Sequence, residues 1–281
     1  MTIQWFPGHM AKARREMEEK LKLVDFVVEL LDARTPWSSQ NPMLAKVVQG
    51  KPKLVVLMKK DLADPESTGK WLNYFHSSDV KAIAMDVNNQ TDLKQFIQAA
   101  KELGEEKRRK LQKKGIQPRA SRAMIAGIPN VGKSTLINRL ARKKIAKTGD
   151  LPGITKQQAW IKIKNDFELL DTPGVLWPKF EDEQVGLRLA AVGTIKDQLL
   201  TLQDVAAFIL QRLQKHYAEL LQNRYEVEDV QMDIWELFNH IGKRRGALES
   251  GGQVNMDKVA EIIIRDLRTG KLGRITLETP E

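Results

Sequence analysis

Gly127-Ile128-Pro129-Asn130-Val131-Gly132-Lys133-Ser134 fits the spacing G-x-x-x-x-G-K-[ST] at every specified position. Glycines at both ends of this run let the backbone turn tightly, so that successive N–H groups aim at one phosphate. Lys133 would reach the β- and γ-phosphates of a nucleotide, and the Ser134 hydroxyl is a hard oxygen ligand suited to Mg2+. Asn130, Val131, Gly132 and Thr135 lie in the same turn and complete the expected nucleotide contacts on this side. The apolar run Arg122–Ala126 before the loop reads as a buried strand. Leu136, Ile137 and Leu140 after it share one side of a helix expected over Thr135–Arg142. A helix that starts at the loop adds its positive dipole end to the phosphate site.

Three further motifs belong with such a loop in a GTPase. Asp171-Thr172-Pro173-Gly174 fits D-x-x-G. Asp171 is expected to hold Mg2+ through water, and the Gly174 N–H to sense the γ-phosphate. Thr155, in Pro152-Gly153-Ile154-Thr155, is placed to close over the same ion. Such contacts order switch loops and release them on hydrolysis. Met58-Lys59-Lys60-Asp61 reads as N-K-x-D with Met in the first place. A carboxylate at Asp61 accepts the guanine N1–H and N2–H together, and adenine cannot supply that pair of donors. Lys59, Lys60 and Asp61 are therefore the base-side candidates.

Those residues need a sheet to present them. Phe26–Leu31, Lys53–Leu57 and Lys81–Met85 read as buried strands. Helical spacing recurs at Glu66–Phe75 and at Leu93, Phe96, Ile97 and Ala100. Gln158–Lys164 and Phe167–Leu170 read as a hairpin turning at Asn165-Asp166. Strand alternating with helix implies a layered, mainly parallel α/β sheet. Lys101–Arg119, rich in Lys and Arg, reads as a solvated helix and connector.

From about Val175 amphipathic helices take over. Thr201-Leu202-Gln203-Asp204 reads as a capping box opening a helix with Leu202, Val205, Ile209, Leu213 and Tyr217 on one face. Asp233–Ile241 and Asp257–Leu267 follow, with Gly242-Lys243-Arg244-Arg245-Gly246 read as a basic loop between helices. The expected organisation is an α/β domain over residues 1–178, carrying a basic helix over 9–22, and a smaller all-helical domain over 179–281. In ordinary GTPases the guanine motif follows the phosphate loop. Here it precedes the loop, which a circular permutation explains: the same sheet, entered at a different strand.

With 281 residues, 42% hydrophobic and 29% charged, the composition suits a soluble globular protein. No apolar run approaches the ~20 residues of a membrane helix. Met1–His9 has no signal-peptide pattern, so a cytoplasmic location without membrane contact is expected. The absence of cysteine removes disulfides and thiolate metal sites. A net charge of +10 favours a nucleic-acid partner. Lys243, Arg244, Arg245 and Arg265 or Arg268 are the candidate phosphate contacts. Few aromatic residues accompany them, which favours structured RNA over single strands. Nothing signals obligate dimerisation, and a monomer is expected.

The motif order, together with Pro7-Gly8-His9-Met10-Ala11-Lys12-Ala13, Asp32-Ala33-Arg34 and Asp171–Pro178, resembles the circularly permuted GTPases of bacterial ribosome assembly. The likeness covers nearly the whole chain. It implies a circularly permuted Ras-like P-loop GTPase domain followed by a smaller all-helical domain, with GTP or GDP and Mg2+ as ligands. It also implies binding to the large ribosomal subunit late in assembly, with the helical domain on rRNA.

Several positions depart from that pattern. Met58 replaces an Asn that would hydrogen-bond the purine and brace the phosphate loop. Each missing bond costs about 0.5–1.5 kcal/mol, so weaker but not abolished nucleotide binding is expected. The Ser-Ala-Lys motif beside the base is at best Asp86-Val87-Asn88. Val175 and Leu176 stand where many GTPases place a Gln that orients water. The resemblance points to His9 as the substitute, since a neutral imidazole can orient water or take its proton. The alternative is that His9 only starts a helix and meets solvent or RNA. Asn130 is similar to the Asn of GTPases that hold K+ beside the phosphates. The alternative is a loop Asn bonding its own backbone.

Gly174 leads through Val175–Lys179 into the helical half, so the γ-phosphate is expected to reset that domain. Two rival functions stay open: a GTPase acting on another RNA, in tRNA modification or translation, and an RNA-binding protein with structural nucleotide.

Overall fold

The structure, a computed structural model, describes residues 15, 18, 19, 21–48, 50–117, 119–142, 160–163, 167–172, 182–197 and 201–280. Strands form at the expected apolar runs: β1 (Phe26–Asp32), β2 (Lys53–Met58), β3 (Lys81–Met85) and β4 (Ser121–Gly127). Every residue of β1 is buried. A strand covered on both faces reads as continuous apolar sequence rather than as an alternation. β5 (Trp160–Ile163) and β6 (Phe167–Asp171) pair antiparallel, as expected of the hairpin's strands, and its turn at Asn165-Asp166 lies outside the described residues. The sheet order is β3-β2-β1-β4-β6-β5. Its first five members run parallel, and β5 pairs antiparallel at the edge.

Helices α1 (Pro42–Val47), α2 (Pro65–Ser77), α3 (Gln90–Lys113) and α4 (Lys133–Ala141) connect these strands. One face of the sheet packs Phe26, Val28, Leu30 and Val56 with Phe96, Ala100, Leu136 and Ile137. The other packs Val27 and Met124 with Leu44, and Leu31, Val55 and Leu57 with Trp71 and Phe75. The charged stretch after Ala100 continues α3 without a break to Lys113.

The second half is helical: α5 (Glu183–Ala191), α6 (Leu202–His216), α7 (Ala218–Tyr225), α8 (Ile234–Arg245) and α9 (Met256–Arg268). Its core is continuous with that of the sheet, Leu189, Ile209 and Ile263 belonging to the same buried cluster as Phe26.

Two local expectations change. Thr201 sits at the N-cap of α6, but its side chain makes no capping bond. Gly242–Arg245 is the last turn of α8, not a loop, and the helix stops at Gly246 with φ +66°. Gly242 serves packing: a Cβ there would lie 2.2 Å from Val254 Cγ1. Short helices α1, α5 and α7 are additions to the sequence reading. The connection Val175–Lys179 and the domain boundary at 178 lie outside the described residues, as does most of the helix expected over 9–22. Among the described residues no helix is long and apolar enough to cross a membrane.

Candidate nucleotide site

The parallel strands all end on one edge of the sheet. β2 and β3 lie to one side of β1, and β4 and β6 to the other. The crevice of an open α/β sheet forms where the strand order reverses in this way, here between β1 and β4. The phosphate loop begins there. Gly127 must lack a side chain, because a Cβ would lie 2.8 Å from the Leu30 carbonyl on β1. Asn130 and Gly132 take φ of 60° and 106°, which turns the loop into the N-terminus of α4. Ile128 and Val131 are buried and anchor it from beneath. Ser134 and the exposed Thr135 lie in the first turn of α4.

Lys133 Nζ donates to Asp171 Oδ1 at 2.5 Å, and both side chains are almost fully buried. The Thr172 hydroxyl donates to the Ile125 carbonyl at 2.7 Å and ties the end of β6 to β4. Lysine and aspartate thus satisfy each other here. Nucleotide phosphates would draw the lysine away, and the carboxylate would then face Mg2+. Ser134 and Asp171 supply the oxygen donors that suit this ion, which is held by few protein ligands together with phosphates. His9, Thr155 and Gly174 lie outside the described residues.

On the base side, Lys59 turns the chain at the end of β2 with φ +60°. Its Nζ donates to Asp32 Oδ2 at 3.0 Å, and Asp32 also accepts from Arg34 Nε and Nη2 at 2.9 and 2.8 Å. Burial works to raise the Asp32 pKa, but the Arg34 and Lys59 charges outweigh it and hold the carboxyl below its ordinary range. Burial lowers the Lys59 pKa against the pull of Asp32. This buried cluster fixes the start of the base loop. The sequence marked its members separately, Lys59 in the base motif and Asp32 and Arg34 in the Asp32-Ala33-Arg34 string, with nothing to show that they meet.

Lys60, the next base-side candidate, is tied to α3. Its Nζ donates to Asp92 Oδ1 at 2.7 Å, and Asp92 Oδ2 accepts the Asp86 N–H at 2.8 Å. Asp61 is exposed on the same strand-end edge as the phosphate loop. Burial of its protein-facing side, with the Asp86 charge adding, raises its carboxyl above the ordinary range. Asp86 and Asn88 border this loop after β3, and Asn88 Oδ1 accepts from Arg139 of α4 at 2.8 Å.

Met58 is buried, and its Cε lies 3.3 Å from where a Gly132 Cβ would be. It therefore braces the phosphate loop by packing, where an Asn would do so by hydrogen bonding. Asn130 Nδ2 donates to the Gly193 carbonyl at 2.7 Å. That bond reaches the turn after α5 in the helical half.

The basic candidates separate. Lys243, Arg244, Arg245 and Arg265 are exposed. Arg244 pairs with Glu226 at 2.9 Å, and the Arg245 guanidinium lies 5.5 Å from the Tyr225 ring centroid. Arg268 is committed inside the domain: it donates to the Ala190 and Ala191 carbonyls and to both Asp197 oxygens. It closes the end of α5, which removes it from the phosphate-contact candidates.

A phosphate loop behind β4 and a guanine-type loop behind the earlier β2, on one edge of one sheet, define a circularly permuted P-loop GTPase. A family model described as 50S ribosome-binding GTPase matches residues 122–240. Ribosome biogenesis GTPase A of Bacillus pumilus is 57% identical, with 100% of each chain covered. Its Thermotoga maritima counterpart is 30% identical over 99% of this chain and 95% of that one. The crystal structure of GNP-bound YlqF from T. maritima aligns with a TM-score of 0.66 at 26% identity, covering 96% of this chain and 99% of that one. The chain belongs to the ribosome biogenesis GTPase A family and is a GTPase of ribosome biogenesis.

Proposed function

We propose that this GTPase binds the large ribosomal subunit through rRNA and couples GTP binding and hydrolysis to a late step of that subunit's maturation. It would act as a cytoplasmic monomer. In this reading Lys133 holds the phosphates, Ser134 and Asp171 hold Mg2+, and Asp61 accepts the guanine edge. Thr155 and Gly174 report the γ-phosphate, and His9 orients the attacking water. A K+ ion beside Asn130 would offset transition-state charge.

The observation that carries the reading is the bond from Asn130 to the Gly193 carbonyl, 2.7 Å long. It joins the phosphate loop directly to the half that presents Lys243, Arg244, Arg245 and Arg265 to solvent. A change at the phosphates therefore has a short route to the candidate RNA face. The family description names the 50S subunit, which agrees with such a partner.

The deciding assay measures GTP turnover with and without purified large subunits, alongside co-sedimentation in GTP analogue and in GDP. Stimulated turnover and tighter binding with the analogue are expected; equal binding in both nucleotides contradicts the coupling. His9→Ala is expected to keep GTP affinity and lose the stimulated rate. Turnover that is the same in KCl and NaCl removes the potassium role.

A further inference from the structure

The tail that follows α9 crosses back to the α/β half and runs along the loop that carries Asp61. Arg274 Nε donates to the Ala63 carbonyl at 3.1 Å, and its Nη2 to the Lys60 carbonyl at 3.0 Å. The Ile275 N–H donates to the Leu62 carbonyl at 3.0 Å. Thr276 Oγ1 accepts the Asp64 N–H at 3.2 Å. Three consecutive tail residues thus grip the backbone on both sides of Asp61.

The grip is itself held firmly. The Tyr217 hydroxyl donates to Asp64 Oδ2 at 3.0 Å and accepts the Thr276 N–H at 3.1 Å. The Leu277 N–H donates to the Arg34 carbonyl at 2.8 Å. Glu278 accepts the Ser38 N–H and hydroxyl at 2.9 and 2.6 Å. Ile275 and Leu277 are buried. There is no slack at the contact, since a Cβ on Gly270 would lie 2.7 Å from Leu62 Cδ2.

We propose that Arg274, Ile275 and Thr276 are positioning residues for guanine recognition, fixing the direction of the Asp61 carboxylate from behind. The inference rests on the reading of Asp61 as the guanine acceptor. The loop from Lys59 to Asp64 leaves the sheet at a left-handed residue and has few bonds of its own. Its ends are tied by side chains, Lys59 to Asp32, Lys60 to Asp92 and Asp64 to the first turn of α2, while the backbone between them has the turn bonds from Leu62 to Lys59 and from Ala63 to Lys60 and one bond from Lys60 to Met85. A carboxylate that takes two parallel N–H donors demands a fixed orientation. The tail supplies the constraint that the turn alone lacks. Linkage then acts in reverse: whatever factor the docked tail adds to guanine affinity, bound guanine adds to tail docking. The helical half is therefore coupled to the base as well as to the phosphates.

The test compares GDP with IDP, whose base lacks the N2 amine and so loses one of the two bonds to Asp61. Arg274→Ala is expected to lower the GDP-to-IDP affinity ratio about three- to tenfold, as the loss of one oriented charged hydrogen bond would. An unchanged ratio, or an equal fall for both nucleotides, overturns the proposal. Because Arg274→Ala could fail to fold, amide exchange in the unmodified chain gives a second measure. GDP is expected to slow exchange at Ile275 and Leu277 more than IDP does at equal saturation, and equal slowing overturns the proposal. Asp61→Asn keeps the two readings apart. If it does not move preference towards XDP, the guanine assignment itself fails. If it does, and the Arg274→Ala ratio stays at the wild-type value, only the role of the tail is lost.

Discussion

Asp171→Asn removes the charge opposite Lys133 while keeping the shape of the side chain. Lys133 Nζ and Asp171 Oδ1 are 2.5 Å apart, with 7% and 5% of their side chains exposed. The substitution leaves a buried ammonium facing a neutral amide. Removing one member of a buried pair costs about 3–5 kcal/mol. The amide oxygen still accepts one bond, which places the expectation at the lower end, about 3 kcal/mol. At roughly 2–4 °C per kcal/mol for a domain of this size class, the nucleotide-free variant is expected to melt about 6–12 °C below the parent. A phosphate restores the missing negative charge. GDP in EDTA should therefore stabilise the variant more than the parent, in which Lys133 must first leave Asp171. Thermal melts across a GDP titration read both effects. A nucleotide-free melting temperature equal to the parent's, with an equal GDP shift, would falsify the claim that the two residues hold each other in the free protein.

Gly242→Ala is expected to destabilise by about 1–3 kcal/mol, as overpacking of a filled core does, because the new methyl would lie 2.2 Å from Val254 Cγ1. Urea unfolding checks this, and an unaffected midpoint would return the segment to a loop. Asp61 has a raised pKa, so its proton stabilises the free fold below the ordinary carboxylate range, and that contribution is lost as pH rises through the raised value. Guanine needs the ionised form, so GDP affinity should weaken as pH falls through the same value, while Asp61→Asn should show no such dependence and should prefer XDP. Isothermal titration at several pH values decides it; parallel pH profiles for parent and variant would clear Asp61. Neutralising Lys243, Arg244 and Arg245 together should lower the salt slope of subunit binding by up to about 0.9 for each phosphate that these side chains neutralise. An unchanged slope places the RNA face elsewhere.

Much of the site was legible because its signals are local. The phosphate loop is eight consecutive residues, and its Gly132 is demanded by the loop's own backbone, which turns there at φ +106°. Apolar runs marked the strands, since burial on both faces writes itself into composition. Motif order alone implied the permutation, and parallel pairing brought Asp61 and Lys133 to one edge. Where local signals misled, a distant partner had taken the residue. Gly242 resembles a turn glycine and is a packing glycine against Val254. Arg268 looks like a surface cation and closes the end of α5.

The sequence by itself determined the chemistry at each strand end: which residues can hold phosphate, metal and guanine, and in what order the chain visits them. Only the tertiary structure decided what holds those residues in place. Arg274 and Ala63 meet across 211 positions of sequence, and Met58 steadies Gly132 by shape rather than by any motif it spells. Hydrogen bonds to backbone carbonyls and contacts between methyl groups ask little of residue type and everything of position, so no spacing rule records them.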